Sequence, residues 1–148
     1  MAFQEETIMI DCMIIGDSIA VGTHAFRPEC ELVGKGGINT WQFNNTFNVE
    51  LLNARTVIIS LGSNDHRYLK TNQELIRVRG RIHVDAKVYW ILPAGNLKAG
   101  EVDIENVREM IRKLAKTMGD TVVEIKGLSP DGIHPSGAGY KQIVRDTQ

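Results

Sequence analysis

The sequence predicts a three-layer α/β/α sandwich built on one parallel five-stranded sheet, and two features lead to this prediction. Short apolar runs alternate with segments of helical periodicity along the 148 residues, and such alternation is typical of a parallel sheet with helices on both faces. The apolar runs are also nearly continuous, as expected of strands that are buried on both sides.

Five runs are predicted as strands because each is short, mostly apolar and followed by glycine, proline or polar residues. The first ends at Gly16, the third ends at Gly62, and the fourth is stopped by Pro93, which cannot continue a central strand. The predicted strands comprise residues 7–15, 30–33, 55–61, 87–92 and 121–125.

Five helices are predicted after these strands. The clearest covers residues 102–118, where apolar side chains recur at helical spacing from Ile104 to Leu114 and Gly119 then supplies a stop. The second is rich in asparagine, which has low helix propensity, and the third is interrupted by Gly80. The predicted helices comprise residues 18–26, 40–53, 72–82, 102–118 and 136–146.

The order of the strands follows from the handedness of their connections. Right-handed crossovers leave few topologies for five parallel strands. The commonest small one is flavodoxin-like, with strand order 2-1-3-4-5. The length argues for a single domain over residues 1–148.

Composition excludes some classes of partner. The chain is 43% hydrophobic and 24% charged, with a formal net charge of −1 and no basic run. A nucleic-acid or membrane-surface partner therefore has no electrostatic support. No apolar stretch approaches the roughly 20 residues of a membrane span, and the acidic N-terminus lacks the pattern of a secretory signal. We therefore expect a cytoplasmic or otherwise non-Sec-exported protein.

The two cysteines, Cys12 and Cys30, both fall in predicted strands. A bridge between them is conceivable, but a protein that is not exported keeps its thiols reduced. We therefore expect no disulfide, with Cys12 packed as a small hydrophobic residue.

Glycine and polar clusters follow every predicted strand. They are found at residues 16–18, 34–37, 62–65, 93–96 and 131–134. Open α/β sheets bind ligands at the carboxyl edge, where the strand order reverses. In the predicted order the reversal lies between the first and third strands, which deliver Ser18 and Asn64. This placement makes Ser18 a candidate site residue.

The residue types in these clusters suit nucleophilic catalysis. A serine hydroxyl such as that of Ser18 needs a base to take its proton, and His134 is the candidate for that base. Asp131 lies three residues before His134 and can orient its ring, since Gly132 allows a sharp turn between them. The backbone N–H of Ser18, at the start of a predicted helix, is a candidate oxyanion donor.

Four blocks of the sequence resemble those of the SGNH (GDSL-type) hydrolase superfamily. They are I-G-D-S-I-A at 15–20, G-K-G-G-I-N-T at 34–40, L-G-S-N-D at 61–65 and D-G-I-H-P-S at 131–136. The resemblance implies the flavodoxin-like fold and hydrolysis of acyl esters with neither metal nor cofactor.

The resemblance also implies a role for individual residues. Ser18 is the nucleophile, Asp131 and His134 complete the catalytic triad, and the oxyanion is held by Ser18, Asn64 and a glycine. That glycine is assigned to Gly37, with Gly36 as the alternative.

Other polar and aromatic residues are assigned simpler roles. Asp17 and Asp65 are expected to support the loops without chemistry, and Trp90 is expected in the core. We expect His66, Arg67 and Trp41 at the rim of the pocket. Three histidines show no metal-ligand spacing with one another or with the cysteines, so no metal is predicted: His24, His66 and His83.

The sequence therefore predicts a serine esterase that forms an acyl-enzyme on short acyl esters, such as an acetyl ester of a glycan or of a small soluble molecule. A non-catalytic carbohydrate-binding or structural domain on the same fold is the alternative, since a fold does not guarantee activity. A nucleotide-binding domain is disfavoured because the first loop lacks a G-x-x-x-x-G-K pattern.

Overall fold

The computed structural model describes residues 10–95 and 103–148, and these contain a parallel sheet in the order β2-β1-β3-β4-β5. The predicted strand order is therefore confirmed. The strands are β1 (Ile10–Gly16), β2 (Glu31–Gly34), β3 (Ala54–Ser60), β4 (Lys87–Ile91) and β5 (Thr121–Val123).

The five predicted helices are present with adjusted ends. They are α1 (Ser18–Ala25), α2 (Thr40–Thr46), α3 (Thr71–Gly80), α4 (Ile104–Met118) and α5 (Gly137–Asp146). Gly119 ends α4 in a left-handed conformation with φ 74°, as its position predicts. Residues 7–9, 96 and 102, which belong to predicted elements or clusters, lie outside the described residues. No helix in the described ranges is long and apolar enough to cross a membrane.

Alternate residues of each strand face two separate core layers. Along β1, Met13 and Ile15 enter a cluster with side chains of α2, α3 and α4, and this cluster also contains the fully buried Trp90. Cys12 and Ile14 enter the opposite cluster with side chains of α1 and α5. This alternation explains why the strands are apolar on both faces and why helices cover both.

The predicted second helix is wrong in its length, since α2 ends at Thr46 and not at residue 53. The guanidinium of Arg81, which follows α3, donates to the backbone carbonyls of Phe47 and Glu50. The carbonyls of the segment after α2 thus accept hydrogen bonds from a distant side chain and not from helical N–H groups. Asparagine-rich sequence offers little helix propensity to compete with these bonds.

The expectation of unpaired cysteines is also wrong. Cys12 and Cys30 form a disulfide, with their Cα atoms 4.8 Å apart. Met13 on β1 pairs with Glu31 on β2. Each cysteine directly precedes one residue of this pair, so the two cysteines lie side by side. The prediction rested on compartment, whereas register and proximity decide whether two sulfurs meet.

Candidate active site

The turn between β1 and α1 sets the position of Ser18. Gly16 ends β1 with φ +134°, and a Cβ on it would lie 1.8 Å from the carbonyl oxygen of Ser60, so only glycine fits. The backbone N–H of Asp17 donates to that same carbonyl at 3.0 Å. Ser18 follows as the first residue of α1, and its backbone N–H is one of the N-terminal groups with no partner within the helix.

The side chain of Asp17 stabilises this turn by hydrogen bonds. It is fully buried, and its Oδ1 accepts hydrogen bonds from the backbone N–H of Ile19 at 3.0 Å and from Ser60 Oγ at 2.9 Å. Its Oδ2 is buried with no hydrogen-bond partner in the described part of the chain. Burial raises the pKa of Asp17 to about 6. The carboxyl group thus caps α1 and links the start of α1, next to Ser18, to the end of β3.

A continuous line of hydrogen bonds joins the three predicted triad residues. Ser18 Oγ lies 2.8 Å from His134 Nε2, and His134 Nδ1 lies 2.7 Å from Asp131 Oδ2. The side chains of His134 and Asp131 are 41% and 46% exposed. The three predicted triad residues therefore meet at the surface of the molecule.

The turn that carries His134 is organised by Asp131. Its Oδ1 accepts from the backbone N–H groups of Ile133 and His134, at 2.8 and 2.9 Å, and from Ser129 Oγ at 2.8 Å. Gly132 permits the turn with φ +70°. These N–H donors, together with His134, hold the pKa of Asp131 well below its usual range.

The charge on Asp131 determines the state of the histidine ring. An ionised carboxylate only accepts hydrogen bonds, so the Nδ1 of His134 must be the protonated nitrogen. The lone pair of a neutral ring is then on Nε2, which faces Ser18 Oγ. This is the tautomer that a general base requires.

Three predicted oxyanion donors lie around the same pocket. Ser18, Gly37 and Asn64 all contribute to its walls, whereas Gly36 does not. Gly37 has φ +76°, and a Cβ on it would meet nothing within 4 Å. The Nδ2 group of Asn64 donates to the carbonyl of Ile38 at 3.1 Å. The structure brings these groups together around Ser18, and their role as oxyanion donors stays a prediction.

Asp65, the residue after Asn64, anchors the loop that carries Asn64. The Asp65 carboxylate accepts from the backbone N–H and the hydroxyl of Thr40, at 2.9 and 2.6 Å, and from Thr71 Oγ1 at 2.7 Å. It therefore joins the first residues of α2 and α3. Sequence reasoning gave no role to Thr40 or Thr71, although a threonine at the start of a predicted helix is a signal for such a contact.

The pocket above Ser18 has a volume of about 350 Å³. One part of its wall is apolar, and the part near Asn64 is polar. The lining residues are Ser18, Ile19, Gly37, Ser63, Asn64, Asp65, His66, Ala94, Gly95, Ile104, Ile133 and His134.

The expected rim residues divide into two groups. His66 lines the pocket, whereas Trp41 and Arg67 do not. The Arg67 guanidinium instead lies 4.9 Å from the centre of the Tyr68 ring and donates to its hydroxyl. Trp41 is half-exposed on α2. The guanidinium of Arg67 thus has a local partner that its position in the sequence does not reveal.

The other two histidines lie away from the pocket. His24 Nε2 donates to the carbonyl of Cys30 at 2.9 Å, and His83 Nδ1 accepts from the backbone N–H of Asp85. Among residues 10–95 and 103–148, no three histidine, cysteine or acidic side chains form a group that could hold a metal ion.

No protein-family model and no curated protein matches the sequence, but solved structures do. A GDSL-like lipase from Bacteroides thetaiotaomicron is 20% identical, with TM-score 0.66 over 93% of this chain and 89% of that one. The C-terminal catalytic domain of peptidoglycan O-acetyltransferase A from Streptococcus pneumoniae is 17% identical, with TM-score 0.68 over 94% and 92%. Phospholipase A1 from Streptomyces albidoflavus is 12% identical, with TM-score 0.65 over 95% and 100%. The chain therefore has the fold of the SGNH (GDSL-type) hydrolases, as its four sequence blocks predict.

Proposed function

We propose that the protein is a serine ester hydrolase that forms an acyl-enzyme on Ser18. The observation that carries this proposal is the line of hydrogen bonds from Asp131 through His134 to Ser18 at the edge of a pocket. The lipase, O-acetyltransferase and phospholipase that have this fold support it, since lipases, acetyltransferases and phospholipases all act on acyl groups.

The first half of the reaction acylates the serine. Ser18 Oγ attacks the ester carbonyl carbon while its proton passes to His134 Nε2, and Asp131 stabilises the imidazolium that forms. The carbonyl oxygen becomes an oxyanion, which accepts hydrogen bonds from the backbone N–H groups of Ser18 and Gly37 and from the Asn64 amide. The bond to the leaving alcohol then breaks, and His134 donates its proton to that oxygen.

The second half releases the acid. Water enters in place of the alcohol, His134 takes one of its protons, and the hydroxide attacks the acyl carbon. The same donors hold the second oxyanion. The bond to Ser18 Oγ then breaks and the proton on His134 returns to it, so the enzyme is regenerated without any other reagent.

We further propose a short acyl group, such as acetyl, on a glycan or a small soluble alcohol. A volume of about 350 Å³ is near the lower end for ligand pockets. Such a volume must hold the ester group together with the parts of the acyl group and of the alcohol that are next to it. A compact acyl group fits this space better than a long chain.

Kinetics of Ser18→Ala on p-nitrophenyl acetate test the proposal. We expect kcat to fall by about 10⁴–10⁶-fold, as in other triad knockouts, with an unchanged melting temperature. An organophosphonate should label Ser18, as found by mass spectrometry of peptides. Ser63→Ala is the matched control: Ser63 lines the same pocket, its hydroxyl has no partner among the described residues, and no step uses it.

Two results would contradict the proposal. One is a phosphonate adduct on a different serine, and the other is wild-type kcat in Ser18→Ala. Saturable binding of acetylated sugars with no turnover would instead favour a non-catalytic carbohydrate-binding domain.

A further inference from the structure

A second cleft adjoins the active-site pocket. It has a volume of about 230 Å³, and Gly37 belongs to the walls of both. A substrate whose ester lies at Ser18 can therefore extend past Gly37 into this cleft. The cleft is lined by Lys35, Gly36, Gly37, Ile38, Gln42 and Thr46.

The side chains of this cleft offer mainly hydrogen-bond donors. Lys35 carries three donors and no acceptor. The Oε1 atom of Gln42 is already occupied, since it accepts from the backbone N–H of Asn39 at 3.0 Å in the capping box of α2. This oxygen keeps one lone pair, whereas the amide NH₂ of Gln42 offers two donors to a ligand.

The charge around the cleft is positive. Lys35 is the only charged residue between positions 32 and 49. Within the described chain, no carboxylate lies within ion-pair distance of Lys35. The one carboxylate that lines either cavity is that of Asp65, which is buried and accepts from Thr40 and Thr71. A negative group in the cleft would thus meet a cation and no exposed lining carboxylate.

We propose that this cleft is a subsite for an anionic group, a carboxylate or a phosphate, carried by the ester substrate. Lys35 supplies the charge, and Gln42 supplies a neutral donor. The inference rests on the proposed esterase function and adds the substrate class to it. Since Lys35 is exposed, its contribution is screened by salt and moderate in size.

Matched pairs of esters test the proposal by kinetics. The acyl arm compares mono-p-nitrophenyl succinate with p-nitrophenyl butyrate, and the alcohol arm compares 4-acetoxybenzoate with its methyl ester. In one arm, Lys35→Gln should raise KM for the anionic ester by about 3- to 5-fold. It should leave kcat, and the KM for the matched neutral ester, unchanged. The arm that responds shows which side of the ester bears the charge.

Two further variants separate charge at this place from charge in general. Lys35→Arg should keep the wild-type KM for the anionic ester, because the positive charge is retained. Lys113→Gln is the matched control, since Lys113 is an exposed lysine on α4 that lines neither cavity. It should leave all KM values unchanged. The effect of Lys35→Gln should also shrink as salt is raised.

A binding experiment keeps this inference separate from the proposed function. In Ser18→Ala protein, monomethyl succinate should shift the backbone amide signals of Gly36 and Gly37 saturably, and dimethyl succinate should do so only weakly. Adding Lys35→Gln should abolish the difference. Equal shifts by the two esters, or identical KM changes for anionic and neutral substrates, would overturn the subsite. Full activity in Ser18→Ala would overturn the esterase mechanism and leave the binding result to stand independently.

Discussion

The side-chain amide of Asn64 donates to the backbone carbonyl of Ile38 at 3.1 Å. This bond joins the loop after β3 to the loop after β2, which carries Gly37. An asparagine amide has two N–H groups, so one can stay on Ile38 while the other meets the developing oxyanion. The bond therefore links the two loops that carry the predicted donors Gly37 and Asn64.

Preorganised donors of this kind act on the transition state. Asn64→Ala should lower kcat by about 10²–10³-fold with little change in KM, as measured by steady-state kinetics on p-nitrophenyl acetate. The Ile38 carbonyl loses its partner, so circular dichroism should confirm that the fold is kept. An increase in KM at constant kcat would make Asn64 a ground-state binding residue instead.

The Asp131–His134 pair should behave as a unit. Asp131→Asn replaces one carboxylate oxygen with a donor and removes the charge that stabilises the imidazolium, so kcat should fall by up to about 10⁴-fold. His134→Ala should be at least as damaging, because it removes the base itself. The double variant should be little worse than His134→Ala. Losses that multiply in the double variant would show that the two residues act independently.

The buried Asp17 should make stability depend on pH. Its pKa is raised from an ordinary 3.8 to about 6, so the folded protein binds this proton more tightly than the unfolded chain does. The free energy of unfolding should therefore fall by about 2 kcal/mol as pH rises from roughly 4 to 6.5. The pH dependence that Asp131 contributes has the opposite sign, because its pKa is lowered in the folded protein. The stabilisation that it gives the fold is lost as pH falls below about 4.

Asp17→Asn isolates this effect, because asparagine caps a helix and does not ionise. Urea unfolding of both proteins between pH 4 and 7 should show the wild type losing stability relative to the variant across this window. A constant difference between the two curves would mean that Asp17 does not titrate there.

The Cys12–Cys30 disulfide should stabilise the fold measurably. A bridge across 18 residues is expected to contribute about 3 kcal/mol to the free energy of unfolding. Cys30→Ala, or reduction of the wild type, should lower stability by this amount. Thiol labelling in denaturant without reductant is the direct check. Two labelled thiols in protein made in an oxidising compartment would contradict the bridge.

The sequence by itself determined the strand order and predicted which residues form the triad. The apolar runs alternate with helical periodicity, and each run ends in a short cluster that needs a turn at the carboxyl edge of the sheet. Ser18 and His134 stand 116 residues apart, yet both follow strands of one parallel sheet. Since parallel strands end at a common edge, topology alone brings the two residues to the same side of the molecule.

Only the tertiary structure decided the end of α2, the disulfide and the walls of the pocket. The loop after α2 is hydrogen-bonded by Arg81, which lies more than 30 residues further along the chain. The helix propensity of the residues in and around α2 cannot predict a partner at that distance. The cysteines meet because β1 and β2 pair in one register. Asn64 is aimed by the carbonyl of Ile38 and supported by Asp65. Local sequence sets what each segment prefers, but contacts between distant segments arise only once the core has fixed their distance and register.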